Sequence, residues 1–195
     1  MSIAVQPAPA SATPPPPMGV MTEEEFLKRH GGELGVDLVR GQLETQSMPG
    51  GKHGRACLKL AMHIESFAET HSLGRTCTND TFVRVAPNTL RGADVAYLSH
   101  AQWPAEREFP DGPLPVSPEL VGEVKSPSDS WAKVIGKVLE YLDAGVKVVV
   151  VLDAPSKSAT VYRSDAPQEI FRFADSLTLP DVLPGFSVSV ASLFR

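Results

Sequence analysis

Cysteine is scarce in this chain: two in 195 residues, Cys57 and Cys77, without the spacing of a structural zinc site. One disulfide could join them, but two free thiols in a reducing compartment is the simpler reading. No apolar run approaches the ~20 residues a membrane helix requires, so no membrane association is expected. The N-terminus lacks a basic segment followed by an apolar core, so no secretory signal is read and a cytoplasmic location is expected. Positive charge is also in short supply: 18 Lys and Arg against 23 Asp and Glu leave a net charge of −5. That argues against a protein that coats nucleic acid by bulk charge. It leaves room for an enzyme with a local basic groove beside an acidic, cation-filled site. No Ser-His-Asp signature is visible. The glycine-rich stretch Met48–Arg55 lacks the Gly-x4-Gly-Lys-Ser/Thr order of a nucleotide cradle.

Proline, by contrast, is concentrated at one end. Residues 1–20 are rich in Ala, Pro and Ser, carry no charge and include four consecutive prolines, Pro14 to Pro17. Such a segment forms neither helix nor central strand and is expected to be a disordered tail. Residues 21–195, in a chain 42% hydrophobic, are long enough to build one domain with a real core.

Along that domain the hydrophobic period alternates between helix and strand. Thr22-Glu23-Glu24-Glu25 is a capping box opening a short helix to about His30. Val36–Glu44 reads as two short strands turning at Arg40-Gly41. Met48–Arg55 is expected as a loop, with His53 just before a long helix over about Arg55 to His71. Strands follow at Arg75–Val85 and Ala93–Ser99, separated by the turn-rich Ala86–Gly92. Asp94 sits inside the second of these; in a central strand an aspartate is disfavoured and needs a partner or a metal, whereas near the strand's exposed start it needs neither. His100–Ser117 is a Pro-rich, charged loop.

Ser128 or Asp129 is expected to cap a helix that ends near Ala144. Its stripe Trp131, Val134, Ile135, Val138, Leu139 and Leu142 is expected to face the core. Lys133, Lys137 and Tyr141 form a second stripe, which suits either a solvated face or a row of phosphate-directed groups. Val146–Leu152 is nearly all valine and reads as a strand buried on both faces. A hairpin at Ala159–Arg163 and Glu169–Phe173 follows. The last segment, Leu177–Phe194, turns at Leu183-Pro184-Gly185 and ends in one strand or a short helix.

The chemistry concentrates in Pro118–Pro127, a strand that ends in a proline and feeds the helix. Side chains alternate along it, so Glu123 and Lys125 share a face, opposite Leu120, Gly122 and Val124. A carboxylate and an ammonium aimed into one space suit metal-assisted phosphodiester hydrolysis. The same Glu-x-Lys pair, taken alone, is also met by an exposed ion pair worth roughly 0–1 kcal/mol.

Other residues extend the pattern. Arg91-Gly92-Ala93-Asp94-Val95, then Pro118–Asp129, then Lys137, Tyr141, Ala144-Gly145-Val146 and the valine strand to Asp153 occur in order, with Val36–Leu43 and His53 as weaker positions. Together they resemble the bacterial restriction endonuclease family of the PD-(D/E)XK nuclease superfamily, over about Met21 to Arg195. The resemblance implies an α+β fold with a restriction-endonuclease-like core: a central mixed sheet flanked by helices. It implies Asp94 and Glu123 as metal ligands, with the Val124 carbonyl as a further one, and Mg²⁺ as the cofactor with Mn²⁺ as a substitute. It implies Lys125 or Lys137 as the group acting on the attacking water or the phosphate, with Asp37, His53 and Tyr141 as accessories. DNA is the implied substrate, and a homodimer the implied assembly.

This chain departs from the family in three ways. Ala93 stands where a proline usually precedes the aspartate. Lys125 stands where many relatives have an apolar residue. Asp37 stands where a glutamate is frequent, and its shorter reach ranks it below the other site residues. A Mg²⁺-dependent endodeoxyribonuclease is therefore the leading expectation. The alternative is a catalytically inactive nuclease-fold module for DNA binding or regulation. A small-molecule hydrolase has no motif to support it.

Overall fold

Thr22 caps the first helix as its sequence predicts: its hydroxyl accepts from Glu25 N, and the Glu25 carboxylate accepts from Thr22 N. The structure, a computed structural model, describes residues 19–46 and 50–195. The expected Pro-rich tail lies outside the described residues up to position 18, as do positions 47–49 of the expected loop. The elements are α1 (Glu23–His30), β1 (Val36–Val39), β2 (Gln42–Thr45), α2 (Gly51–Thr70), β3 (Gly74–Ala86), β4 (Thr89–Ser99), β5 (Leu120–Lys125) and α3 (Trp131–Asp143). They continue as β6 (Val148–Asp153), β7 (Ser158–Tyr162), β8 (Glu169–Phe171), β9 (Ser176–Leu179), β10 (Leu183–Ser189) and α4 (Val190–Leu193).

An 8-stranded mixed sheet forms the centre, in the order β2-β1-β4-β5-β6-β7-β8, with β3 paired to β4. Among these strand pairs only β5 and β6 run parallel, joined by the α3 crossover; the others are antiparallel. Every residue of β6 is buried, as its valine run requires of a strand covered on both faces. One face of the sheet packs α2, α4 and the β9–β10 pair through Leu60, Ile64, Val95, Leu120, Val124 and Val150. The other packs α3 and the 100–117 loop through Ala96, Val121, Val134, Val138, Val149 and Trp103. Each such side chain contributes about 1.5–3 kcal/mol by leaving water. The alternation expected for β5 holds: Leu120 and Val124 join the α2 layer, and Val121 joins the α3 layer. The result is the α+β architecture implied by the resemblance, and no helix among the described residues is long and apolar enough to cross a membrane.

Four local expectations are corrected. Helix α2 starts at Gly51, not near Arg55, so His53 lies in its first turn rather than before it. Gly51 and Gly54 weaken helix propensity, but packing of the Ala56-Leu60-Ile64 face overrides it. The turn between β3 and β4 is confined to Pro87-Asn88, and Thr89–Gly92 is already strand. The N-cap of α3 is Ser130, whose hydroxyl accepts from Lys133 N, while Asp129 caps the preceding turn by accepting from Ser126 N. Helix α3 is also rotated relative to its apolar stripe: Trp131 is 44% and Leu139 55% exposed, whereas Lys137 is 6% and Tyr141 0% exposed.

Candidate active site

The ladder between β4 and β5 ends at the Val95–Gly122 pair. Asp94 and Glu123 are the next residues on the two strands, and here a side chain replaces the backbone acceptor. Asp94 Oδ2 accepts a 2.7 Å hydrogen bond from Val124 N. This holds the carboxylate in the fork where the strands separate, which accounts for an aspartate deep inside a strand. A cavity opens at that fork, lined by Asp80, Asp94, Glu123, Lys125, Lys133 and Lys137, with His53 and Val124 at its wall.

Glu123 points to the α3 side. Its Oε1 accepts from the Tyr141 hydroxyl at 2.8 Å, and its Oε2 lies 3.4 Å from Lys137 Nζ. The rotation of α3 is thereby explained: burying Lys137 and Tyr141 against one carboxylate displaces Trp131 and Leu139 toward solvent. Burial pushes the Glu123 pKa up, helped by the nearby Asp94 charge and only partly opposed by Lys137 and Tyr141. For Lys137, burial pulls the pKa down but the charges of Glu123 and Asp37 outweigh it, and the net shift is upward. Burial against Glu123 raises the Tyr141 pKa, so its hydroxyl stays a neutral donor.

Asp37 lies behind the cavity rather than in its lining. It accepts from Gly92 N at 3.0 Å, Arg91 Nη1 at 3.1 Å and Gln46 Nε2 at 2.9 Å, and sits 3.8 Å from Lys137 Nζ. Arg91 ties this point to Glu44 at 2.9 Å and Glu140 at 2.6 Å, fastening β1, β2 and α3 to β4. Arg91 thus positions Asp37, and Asp37 holds Lys137 from behind. Lys125 is placed differently: its Nζ donates to the Ser126 carbonyl at 3.3 Å and sits 5.7 Å from the Trp131 ring centroid.

His53 reaches the site from α2, with Nε2 3.3 Å from Asp94 Oδ2. Burial lowers its pKa, but the hydrogen bond to Asp94 and that carboxylate's charge win, and the net shift is upward. Cys57, one turn further along α2, is kept a neutral thiol by burial and by the charges of Asp94 and Glu123, so the free side chain is no nucleophile.

Asp80 is the residue that sequence reasoning missed. It lines the cavity from β3, its Oδ2 accepting from Gly35 N at 3.3 Å. Burial and the neighbouring Asp94 charge raise its pKa. The register of β3 on β4 slips between Thr78 and Thr81, and Asn79 and Asp80 take left-handed φ values of 67° and 57°. Asn and Asp tolerate that conformation better than other side chains, so an Asn-Asp pair interrupting a period-two run was the available signal of a bulge. Gly92 makes room for it: a Cβ there would stand 3.0 Å from Asp80 Cβ and 3.4 Å from Asp37 Oδ1.

The donor set fits a hard divalent cation. Asp80, Asp94 and Glu123 offer carboxylate oxygens and Val124 a backbone carbonyl, the ligand type Mg²⁺ takes while keeping several waters. Burial, and after it the charge of Asp94, raise the proton affinities of Asp80 and Glu123, and a cation bound there would offset that repulsion.

No functionally curated protein matches the chain. A solved structure from Anabaena variabilis ATCC 29413, described as a "putative nuclease belonging to DUF820", shares its fold at a TM-score of 0.78 and 22% identity, over 89% of this chain and 97% of that one. That likeness establishes the architecture. The Uma2 family, described as "Putative restriction endonuclease", matches residues 23–191. With nearly the whole described chain inside that match and the fold in agreement, the protein belongs to the Uma2 family.

Proposed function

We propose that the protein is a Mg²⁺-dependent endodeoxyribonuclease, with Mn²⁺ as an effective substitute, that hydrolyses phosphodiester bonds of DNA at the β4–β5 fork. One observation carries this reading: Asp94 and Glu123 meet at the opening of the ladder, with Asp80 beside them and three lysines, Lys125, Lys133 and Lys137, on the same cavity. Asp94, Glu123 and the Val124 carbonyl hold the cation, and Asp80 adds a third carboxylate. Bound there, Mg²⁺ supplies an acidified water and a charge opposite the phosphate.

Lys133 is paired with Glu44 and Asp129, and the other two lysines divide the remaining work. Lys137 is buried between Glu123 and Asp37 and is held protonated, so it fixes Glu123 and presents positive charge instead of taking a proton. Lys125 stands at the end of β5, free of a carboxylate partner within ion-pair distance among the described residues, and contacts the attacking water or the phosphate. Tyr141 orients Glu123, and His53 orients Asp94. Cutting both strands of a duplex calls for two such sites, which a two-fold pair of chains provides.

The test is cleavage of supercoiled and single-stranded DNA with Mg²⁺ or Mn²⁺ against EDTA, for the wild type and Glu123→Ala in parallel. Metal-dependent cutting lost in a folded Glu123→Ala is expected. Undiminished cutting by that variant sinks the proposal. Metal-independent DNA binding without cleavage by the wild type would favour an inactive nuclease-fold module.

A further inference from the structure

One cluster of ligating side chains differs in kind from the oxygen donors. His53 and Cys57 are four residues apart on α2, so the helical period stacks them on one face. Cys57 Sγ lies 3.4 Å from His53 Nδ1, and His53 Nε2 lies 3.3 Å from Asp94 Oδ2. One ligand atom from each residue, a sulfur, an imidazole nitrogen and a carboxylate oxygen, lies within 4.8 Å of the other two. Ligands that share one zinc ion at about 2.0–2.3 Å each stand roughly 3–4 Å apart. A small contraction therefore brings the three residues into coordination.

Hydrolysis at an all-oxygen site has no use for the thiol, and Mg²⁺ does not select it. Sulfur and imidazole donors suit zinc and its softer neighbours. We propose that His53, Cys57 and Asp94 form a site for a thiophilic divalent cation of the zinc class, which withdraws Asp94 from the hard-cation site and so inhibits the nuclease. On binding, Cys57 releases its proton to solvent and a sulfur–metal bond forms; nothing is oxidised or reduced. The fourth position is left to water. The binding stands on these three residues alone, and only the inhibition rests on the reading of Asp94 as a Mg²⁺ ligand.

The test uses Co²⁺ as the spectroscopic stand-in for Zn²⁺, titrated into the tag-free, metal-free full chain. A thiolate-to-cobalt charge-transfer band is expected in the wild type, absent in Cys57→Ser and retained in Cys77→Ser and Glu123→Ala. No band in the wild type, or one that survives Cys57→Ser and is lost in Cys77→Ser, overturns the site and leaves His53 and Cys57 as a hydrogen-bonded support for Asp94. Should Cys57→Ser lose its fold, zinc X-ray absorption of the wild type decides. One sulfur scatterer supports the site, and nitrogen and oxygen scatterers alone overturn it.

In the activity arm, Zn²⁺ added to the Mg²⁺ reaction is expected to inhibit the wild type roughly 10–100-fold more potently than Cys57→Ser. Equal inhibition of both overturns the competition for Asp94. A chain that binds cobalt through Cys57 yet cuts no DNA would uphold the metal site and sink the nuclease reading instead.

Discussion

Tyr141 and Lys137, one helical turn apart on α3, hold the two oxygens of a single carboxylate, Glu123, at 2.8 Å and 3.4 Å. All three groups are buried. Few exposed apolar contacts could compete with this pairing, because a buried carboxylate left without donors is costly. Tyr141→Phe deletes one donor and leaves the ring in place. The expected loss is about 1–3 kcal/mol of stability in urea unfolding of the metal-free protein. Cleavage is expected to fall as well, because Glu123 is then held at one oxygen only.

The two lysines are expected to separate in kind. Lys137→Ala leaves Glu123 and Asp37 without their shared cation, and breaking a buried pair costs about 3–5 kcal/mol. Lys125→Ala removes a side chain at the cavity mouth and is expected to leave the melting temperature nearly unchanged while abolishing most cleavage. Thermal unfolding and single-turnover cleavage on the same preparations check this. Full activity in Lys125→Ala would shift the chemical role to Lys137.

Asp80→Asn tests the carboxylate that the β3 bulge delivers. The amide oxygen can still accept from Gly35 N, and asparagine tolerates the left-handed backbone. Removing a charge crowded by Asp94 is expected to stabilise the metal-free protein and weaken Mg²⁺ binding by about tenfold, read by calorimetric titration. An unchanged Mg²⁺ affinity would place Asp80 outside the metal site.

Gly122→Ala tests the contact between β5 and α2. A Cβ at position 122 would stand 2.6 Å from Leu60 Cδ2 and 3.1 Å from Val95 Cβ. Leu60 Cδ2 is a side-chain tip that must turn aside within the packed core, and Val95 Cβ, fixed to its strand, must give by a few tenths of an ångström. A loss of about 1–3 kcal/mol is expected, with reduced cleavage even where the protein remains folded.

Stability of the metal-free protein is expected to fall as pH rises. Glu123 has its pKa raised from 4.5 to about 7 by burial and the Asp94 charge. A group whose folded pKa exceeds its unfolded one contributes stability that is present at low pH and lost as pH climbs through the folded value. The Asp80 and His53 shifts have the same sign. Burial opposes the shifts of Glu44 and Glu119, but Arg91 and Lys147 respectively outweigh it and lower both, so those contributions are lost only as pH drops below 4.5. The melting temperature measured in EDTA should therefore peak near about pH 5 and decline toward about pH 8, and Glu123→Gln should flatten the decline. A melting temperature that rises steadily over that range would contradict the crowding of charge at the fork.

Local signals carried much of the fold. The capping box at Thr22, the turn at Arg40-Gly41, the valine run of β6 and the β7–β8 hairpin were legible because each depends on residues close in sequence. The placing of Leu120 and Val124 on one face of β5 and Val121 on the other was legible too, because strand alternation fixes which side chains share a face. Helix α3 shows where such reasoning fails. Its apolar stripe predicts one rotation, but the energy of pairing Lys137 and Tyr141 with Glu123 sets another, and that partner lies 14 to 18 residues away.

Residue pattern was enough to establish the element order as far as β8 and the buried central strand. Long-range packing was needed to separate β4 from β5 just beyond the Val95–Gly122 pair, to turn Asp80 into the opening through a bulge, and to bring His53 and Cys57 down on Asp94 from α2. Register, bulge direction and helix rotation are settled by contacts between distant segments. Their energies compare whole packings, which no local pattern of residues encodes.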